Sequence, residues 1–302
     1  MVTDLKHLEA FDRCTVLVMG DLILDHYLFG RAQRISPEAP VPVLRVEREE
    51  WLPGGVGNVA LNIRALGASV KLVGRIGCDS SGERLTSALK TQGLCTASLI
   101  SERGLTTSTK TRSIADSQHL LRIDHENPIP MNLALEESLI LSLPDLLKDV
   151  TAVALSDYAK GFFSTHLLRT IIEKSLEAGI PVIVDPKGLD FSRYHGATLI
   201  KPNLHEAYSA ANLPNSASLD LVAETLLSNT NSESLLITQG KEGMALYEFS
   251  DSKQVTKHLL MTKEREVRDV TGAGDTVLAV MACAMGSGLS RLQSAQLANV
   301  AA

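Results

Sequence analysis

The chain has 302 residues, of which 44% are hydrophobic and 21% are charged. That length is enough for one large domain with a buried core, and the proportions are ordinary for a soluble globular enzyme. The net charge of −6 creates no general attraction for nucleic acid, so we predict that nucleic acid is not a partner.

The sequence carries no targeting or membrane signal. Its N-terminal residues include acidic side chains and no apolar core, unlike a signal peptide. No uninterrupted apolar run is long enough to span a bilayer. The four cysteines are far apart and form no CxxC pair, which argues against a disulfide framework or a zinc site. We therefore expect a cytoplasmic protein with no membrane partner.

Short β-branched runs alternate with longer amphipathic segments along the chain. The runs predict strands at 15–19, 70–73, 150–155, 181–185, 198–200 and 234–238. Helical patterns cover 58–66, 165–177 and 219–227. This alternation predicts an α/β fold whose central, mostly parallel sheet is flanked by helices. Ligands of such sheets bind beyond the carboxyl ends of the strands.

Two segments, at about 23–50 and 106–124, break this rhythm. Both alternate polar and apolar residues without a helical stripe. Such alternation is typical of antiparallel strands with one solvent-exposed face, so we predict a small β lid that projects from the main domain. We expect residues 1–302 to form this single domain, without a second catalytic domain.

The most informative segment is glycine-rich and lies near the C-terminus. Gly272, Ala273 and Gly274 precede an apolar stretch of helical length. The unpaired N–H groups at a helix start attract anions, and small residues let a phosphate approach them. Asp275 follows at the same point, where a carboxylate is placed to take a proton from a hydroxyl. A helix N-cap explains this Asp equally well.

The usual nucleotide-binding loops are absent. The sequence has no GxxxxGK[ST], since Gly240 and Lys241 are followed by Glu242. No GxGxxG follows the first predicted strand, which argues against a nicotinamide dehydrogenase.

The glycine-rich segment DVTGAGDT at 269–276 resembles the C-terminal signature of the ribokinase-like carbohydrate kinases, and GGVGN at 54–58 resembles their N-terminal one. The resemblance covers nearly the whole chain. It is closer to one branch, the D-glycero-β-D-manno-heptose-7-phosphate kinases. The matching segments are GDLILDHYLFG at 20–30, RISPEAPVPV at 34–43, LLRID at 120–124, SDYAKG at 156–161 and VDPKG at 184–188.

The resemblance implies a ribokinase-like fold and assigns the catalytic residues. In such enzymes the Asp of GAGD is the general base, which is Asp275 here, and Gly272, Ala273 and Gly274 form the anion hole. Asp269 and Thr271 match positions that hold a monovalent cation, such as K⁺, near that loop.

For the nucleotide, the resemblance implies ATP and Mg²⁺. Asn203 and Glu206 match a motif that positions magnesium and the ATP phosphates, with Glu206 reaching Mg²⁺ through water. The turn after the strand at 234–238 resembles the nucleotide-facing turn, so we expect ATP contacts from Thr238, Gly240 and Gly243. Polar turns at strand ends are the alternative for both segments. Lys201 stands where this branch more often has Thr.

For the sugar acceptor, the resemblance implies contacts from Asp21, Asp25 and Asn58, with Gly54 and Gly55 allowing a close approach. A capped turn is the alternative for Asp21. A phosphorylated acceptor also needs cations, and we predict Lys110, Arg112 and Lys187 for this role. Lys110 and Arg112 share a face if their segment is a strand. Solvated surface positions are the alternative for all three.

The implied reaction is ATP-dependent phosphorylation of the anomeric hydroxyl of D-glycero-β-D-manno-heptose 7-phosphate, giving the 1,7-bisphosphate used for ADP-heptose and lipopolysaccharide core precursors. The partners are then a small sugar phosphate and ATP, and the resemblance implies a homodimer. Two alternatives remain at this point: a kinase for another sugar or a nucleoside, and a non-catalytic sugar or nucleotide sensor on the same fold.

Overall fold

The computed structural model describes residues 10–249, 255–262 and 272–302. The strands of this part of the chain are β1 Thr15–Ile35, β2 Pro42–Gly55, β3 Ser69–Gly77, β4 Leu99–Glu102, β5 Thr109–Ala115, β6 Gln118–His125, β7 Ala152–Ser156, β8 Val182–Asp185, β9 Leu199–Ile200, β10 Ser234–Thr238, β11 Met244–Phe249 and β12 Val255–Leu260. Its α-helices are α1 Val56–Ala65, α2 Ser80–Thr91, α3 Leu133–Leu147, α4 Thr165–Glu177, α5 Leu204–Ala211, α6 Leu219–Thr230, α7 Ala273–Gly286 and α8 Arg291–Ala301.

The main sheet confirms the predicted α/β fold. Its strand order is β12-β11-β10-β9-β8-β7-β1-β3-β4. Every neighbouring pair from β10 to β4 is parallel, and only the edge strands β11 and β12 add antiparallel pairs. No helix of the described residues is both long and apolar enough to cross a membrane.

Two hydrophobic cores cover the two faces of this sheet. In β1 the side chains of Val16 and Val18 belong to one core, while Leu17 and Met19 belong to the other. Helices α1, α2, α7 and α8 cover the first face, and α3 to α6 cover the second. Because both faces are buried, the first strand reads as a continuous apolar run rather than an alternating one.

Strand β1 belongs to two sheets, since its second half leaves the main sheet. This half pairs with β2 and β5, and β5 pairs with β6, so the four strands make a branch that we call the small sheet. The β1–β2 and β5–β6 pairs are antiparallel, but β1 and β5 run parallel. The antiparallel pairs agree with the predicted small sheet, whereas the parallel pairing of β1 with β5 was not predicted. Strand β3 runs parallel to β1, and β4 runs parallel to β3. Strand β5, the next strand after β4, has the same direction.

The carboxyl ends of the parallel strands carry the polar residues that matter for function. Strand β7 ends at Ser156 and β8 at Asp185, and Lys201 directly follows β9. Helix α7, on the first face, begins at Ala273. The fold thus brings segments that are far apart in the chain to one edge of the sheet.

Candidate active site

A buried carboxylate occupies the first turn of α7. Asp275 is only 6% exposed. Asn58 Nδ2 donates to its Oδ2 at 2.7 Å, and the Tyr158 hydroxyl donates to its Oδ1 at 2.9 Å. The N-cap of α7 is Gly272, so the capping alternative for Asp275 does not hold. Burial raises the pKa of Asp275, whereas the two donors and the charge of Lys201 lower it.

The residues of the predicted anion hole lie at the start of α7. Gly272 has φ of +83°, a left-handed conformation that favours glycine. The first N–H groups of a helix have no intrahelical acceptor and point out of its N-terminus. A Cβ added to Gly274 would lie 3.6 Å from Lys201 Nζ, so an ammonium group stands beside these donors. Asp269 and Thr271, the predicted cation ligands, lie outside the described residues.

The predicted acceptor residues of β1 and α1 lie beside Asp275. Asp25 Oδ1 accepts from Arg112 Nη1 at 2.5 Å. A Cβ on Gly54 would lie 2.0 Å from Asp25 Oδ2, so glycine at this position leaves room for the carboxylate. Gly55 has φ of +57° and begins the helix that carries Asn58. The structure therefore brings these predicted residues together.

Lys110 and Arg112 project from the same face of β5, as their parity predicts, but their surroundings differ. Lys110 Nζ lies 5.5 Å from the centre of the Tyr158 ring and forms no ion pair with a described residue. Burial lowers the pKa of this lysine. Arg112 is engaged with Asp25. Lys110 is thus the more available cation for an anionic ligand.

Asp21, a predicted acceptor residue, is buried and bonded to a loop of the chain. It is 4% exposed, and Oδ2 accepts the N–H groups of Tyr158 at 2.9 Å and Lys160 at 3.1 Å. Its Oδ1 accepts the N–H of Phe162 at 3.1 Å. Asp21 thus fixes a loop more than 130 positions away in the chain, which a local capped turn does not describe. Its contact with the sugar acceptor stays a prediction.

The nucleotide-motif residues form a helix cap. Asn203 Oδ1 accepts the Glu206 N–H at 2.9 Å, and Glu206 Oε2 accepts the Asn203 N–H at 3.0 Å, which is a capping box. Glu206 Oε1 accepts from Lys187 Nζ at 2.6 Å. Lys187 therefore lies with the nucleotide motif and not with Lys110, where we predicted it. No group of three or more metal-ligating side chains occurs among the described residues.

The turn after β10 lies next to this cap. Thr238 N–H donates to the carbonyl of Pro202 at 3.0 Å, and Thr238 forms a bridge with Asn203. Gly240 has φ of +60° and faces open space. A Cβ on Gly243 would lie 2.0 Å from the carbonyl oxygen of Leu260, so the hairpin itself requires this glycine. The structure brings Thr238 to the nucleotide motif and gives Gly243 a structural role.

A buried ion pair completes the site, and sequence reasoning did not assign it. Lys201 Nζ lies 3.0 Å from Asp185 Oδ1, and Lys201 is 3% exposed. The pKa of Asp185 is raised to about 6, because burial and the charge of Asp275 together outweigh the lowering effect of Lys201. The signals were Asp185 in the VDPKG segment and Lys201 directly after the predicted strand at 198–200. Tyr158 in SDYAKG was also missed as a partner of Asp275.

Comparison with known proteins identifies the family of the chain. The pfkB family carbohydrate kinase pattern matches residues 15–302. A bifunctional protein HldE of Trichlorobacter lovleyi is 45% identical over 305 residues, covering 99% of this chain and 61% of the relative. One from Caulobacter vibrioides is 44% identical over 301 residues, covering 98% of this chain and 61% of the relative. The chain thus spans about three fifths of the length of these relatives.

Solved structures show the same fold at low identity. A ribokinase of Arabidopsis thaliana, complexed with ribose and ATP, aligns with a TM-score of 0.69 at 19% identity, over 95% of this chain and 90% of that one. Phosphofructokinase-2 of Escherichia coli, in complex with potassium, aligns with a TM-score of 0.73 at 19% identity, with the same coverage of 95% and 90%. The fold is ribokinase-like, and the chain belongs to the pfkB family of carbohydrate kinases.

Proposed function

We propose that this chain transfers the γ-phosphate of ATP to the anomeric hydroxyl of D-glycero-β-D-manno-heptose 7-phosphate, with Asp275 as the general base. The observation that carries the proposal is the buried Asp275 carboxylate, held by two donors at the start of α7. The segments RISPEAPVPV and SDYAKG, which resemble the heptose-7-phosphate kinases, support this acceptor. Such a kinase would act in the cytoplasm.

In the proposed reaction Asp275 accepts the proton of the anomeric hydroxyl while that oxygen attacks the γ-phosphorus. The bond to the bridging oxygen of ADP breaks, and ADP leaves with the electron pair. The N–H groups of Gly272, Ala273 and Gly274 face the charge that develops on the transferred phosphoryl group. Lys201 stands beside Gly274 and adds a fixed positive charge there.

On the acceptor side, Asp25 and Asn58 are assigned to sugar hydroxyls and Lys110 to the 7-phosphate. Arg112 orients Asp25 through their ion pair. Lys110 is half-buried and forms no ion pair with a described residue, although the charges of Asp25 and Asp124 act favourably on it. An anionic ligand beside this lysine would compensate its burial further, which supports the phosphate assignment. The small sheet would then cover the acceptor and exclude water, which is a competing acceptor.

On the nucleotide side, Asn203, Glu206 and Thr238 are assigned to ATP. Both Glu206 oxygens already accept hydrogen bonds, so this carboxylate fits contact with Mg²⁺ through water rather than direct ligation. Magnesium, when bound with ATP, neutralises phosphate charge. Lys187, held by Glu206, is reassigned from the acceptor to the nucleotide phosphates. Asp269 and Thr271 remain the proposed K⁺ ligands.

A homodimer is proposed through the small sheet. The solvent-exposed apolar side chains of this sheet include Val46, Leu121 and Ile123. Scattered exposed apolar residues are normal, but several on one sheet support an interface. Sedimentation of the purified protein should give twice the mass of the chain.

The test of the proposed function is an acceptor panel with Mg·ATP. We expect ADP release with D-glycero-β-D-manno-heptose 7-phosphate and a new anomeric phosphate signal in the phosphorus NMR spectrum. Turnover with ribose, fructose or a nucleoside alone would keep the Asp275 chemistry and overturn the acceptor. No turnover with any acceptor, together with measurable sugar or nucleotide binding, would establish a sensor instead.

The phosphate assignment predicts a change in acceptor binding. Lys110→Met should raise the KM for heptose 7-phosphate by about 10- to 100-fold, because a charge-assisted hydrogen bond contributes about this factor. The KM for ATP should stay within about twofold of the wild-type value, which is a small change compared with the expected rise in the KM for heptose 7-phosphate. The same heptose without its phosphate is the internal control, because wild type and variant should use it equally poorly. Equal loss with both sugars would contradict the assignment.

A further inference from the structure

Among the described residues, two side chains donate hydrogen bonds to Asp275. Asn58 donates from α1, and Tyr158 donates from the loop after β7. Its hydroxyl lies 2.9 Å from Oδ1, while Asn58 Nδ2 lies 2.7 Å from Oδ2. Each carboxylate oxygen is therefore held by a different element. Because a carboxylate oxygen has two lone-pair sites, both contacts leave room for a substrate hydroxyl.

The loop that carries Tyr158 is itself fixed. The buried Asp21 carboxylate accepts the backbone N–H groups of Tyr158, Lys160 and Phe162. Ala159, between them, has φ of +55°, an unusual conformation for a residue with a Cβ. Three charge-assisted bonds to one carboxylate make the loop a rigid support for the tyrosine ring.

The chemistry of Tyr158 suits a permanent donor. Burial raises the pKa of its hydroxyl, and the neighbouring charge of Asp275 raises it further, so the phenol stays protonated. As a donor, the hydroxyl favours the ionised form of Asp275. The other charged groups that act on Asp275 are Asp25 from β1, Asp185 from β8 and Lys201 after β9.

We propose that Tyr158 is a positioning residue for the base in the phosphoryl transfer proposed above: its hydroxyl sets the orientation of the Asp275 carboxylate and favours the ionised form that accepts the proton. Tyr158 also links the base to the small sheet, because Lys110 stands over its ring at 5.5 Å. An acceptor held by Lys110 would therefore lie against the residue that orients the base.

The test is Tyr158→Phe in the full chain, which removes one oxygen and keeps the ring. We expect kcat to fall by about 10- to 100-fold, the factor that a hydrogen bond to a charged group contributes. The acidic limb of the pH profile of kcat/KM should move to higher pH, because the ionised carboxylate has lost a donor. The KM for ATP should stay within about twofold, since the nucleotide contacts are unchanged.

Tyr247→Phe is the matched control. Its hydroxyl donates to Asp220 Oδ1 at 2.7 Å, so the same chemical change is made away from the site. This control should leave kcat and the acidic limb as in wild type. If the wild type is active and Tyr158→Phe has the same kcat and the same acidic limb, the positioning role is wrong. The role is also wrong if Tyr247→Phe shows the same losses as Tyr158→Phe. An inactive wild type would overturn the proposed function as well.

Discussion

Replacing Asp275 by Asn is expected to lower kcat about a thousandfold, which lies within the range for loss of a general base. The amide has nearly the shape of the carboxylate but cannot accept the proton of the sugar hydroxyl. The N–H groups of Gly272 to Gly274 and the charge of Lys201 remain, so the KM for ATP should change by less than about threefold. Rates of ADP release with saturating acceptor would measure the effect.

A matched variant separates this loss from a general effect of the Asp to Asn change. Asp220 accepts bonds from Tyr247 and Lys257 on the far side of β11, outside the site. Asp220→Asn should therefore retain nearly full kcat. If Asp275→Asn kept more than about a tenth of the wild-type kcat, general-base catalysis by this residue would be refuted, because a base contributes at least about a hundredfold.

The parts of the site that the sequence predicted depend on local order along the chain. GAGD directly precedes a helical apolar stretch, so the position of Asp275 at a helix start follows from neighbouring residues. The β-branched runs likewise predicted the strands β1, β3, β7, β8, β9 and β10 of the main sheet, but not β4, β11 or β12. Asn58 was assigned to the acceptor by resemblance; its bond to Asp275 was not predicted, and its acceptor contact stays a prediction.

The parts that the sequence did not predict depend on contacts between distant segments. In the sequence, Asp21 is a polar residue after a predicted strand. No neighbouring residue indicates that its carboxylate accepts backbone N–H groups from residues 158–162. Arg112 meets Asp25 only because β5 runs parallel to β1, whereas alternation along a strand contains no information on direction. The pairing of Lys187 with Glu206 likewise joins the ends of β8 and β9.

Lys201 is a residue outside the predicted site to which the structure gives a clear place beside the base. Its ammonium group is buried between Asp185 and the start of α7, and its charge lowers the pKa of Asp275. A buried cation at this point would neutralise charge on the transferred phosphoryl group. It also compensates Asp185, so a single substitution would disturb stability and catalysis together.

Lys201→Met is accordingly expected to lower the free energy of unfolding by about 3–5 kcal/mol, the range for breaking a buried ion pair. It should lower kcat by at least about tenfold, the lower bound for a charge-assisted contact. The acidic limb of kcat/KM should move to higher pH, because loss of a nearby positive charge raises the pKa of Asp275. Chemical denaturation and pH-dependent kinetics measure these effects.

The double variant Lys201→Met/Asp185→Asn separates the two roles. Removing both charges leaves no uncompensated buried carboxylate, so most of the lost stability should return. If Lys201 acts on the transferred phosphoryl group, kcat should stay low in the refolded double variant, because the cation is still missing. Recovery of both stability and kcat would instead show that Lys201 serves only to compensate Asp185, and the start of α7 would then bind the phosphoryl charge without it.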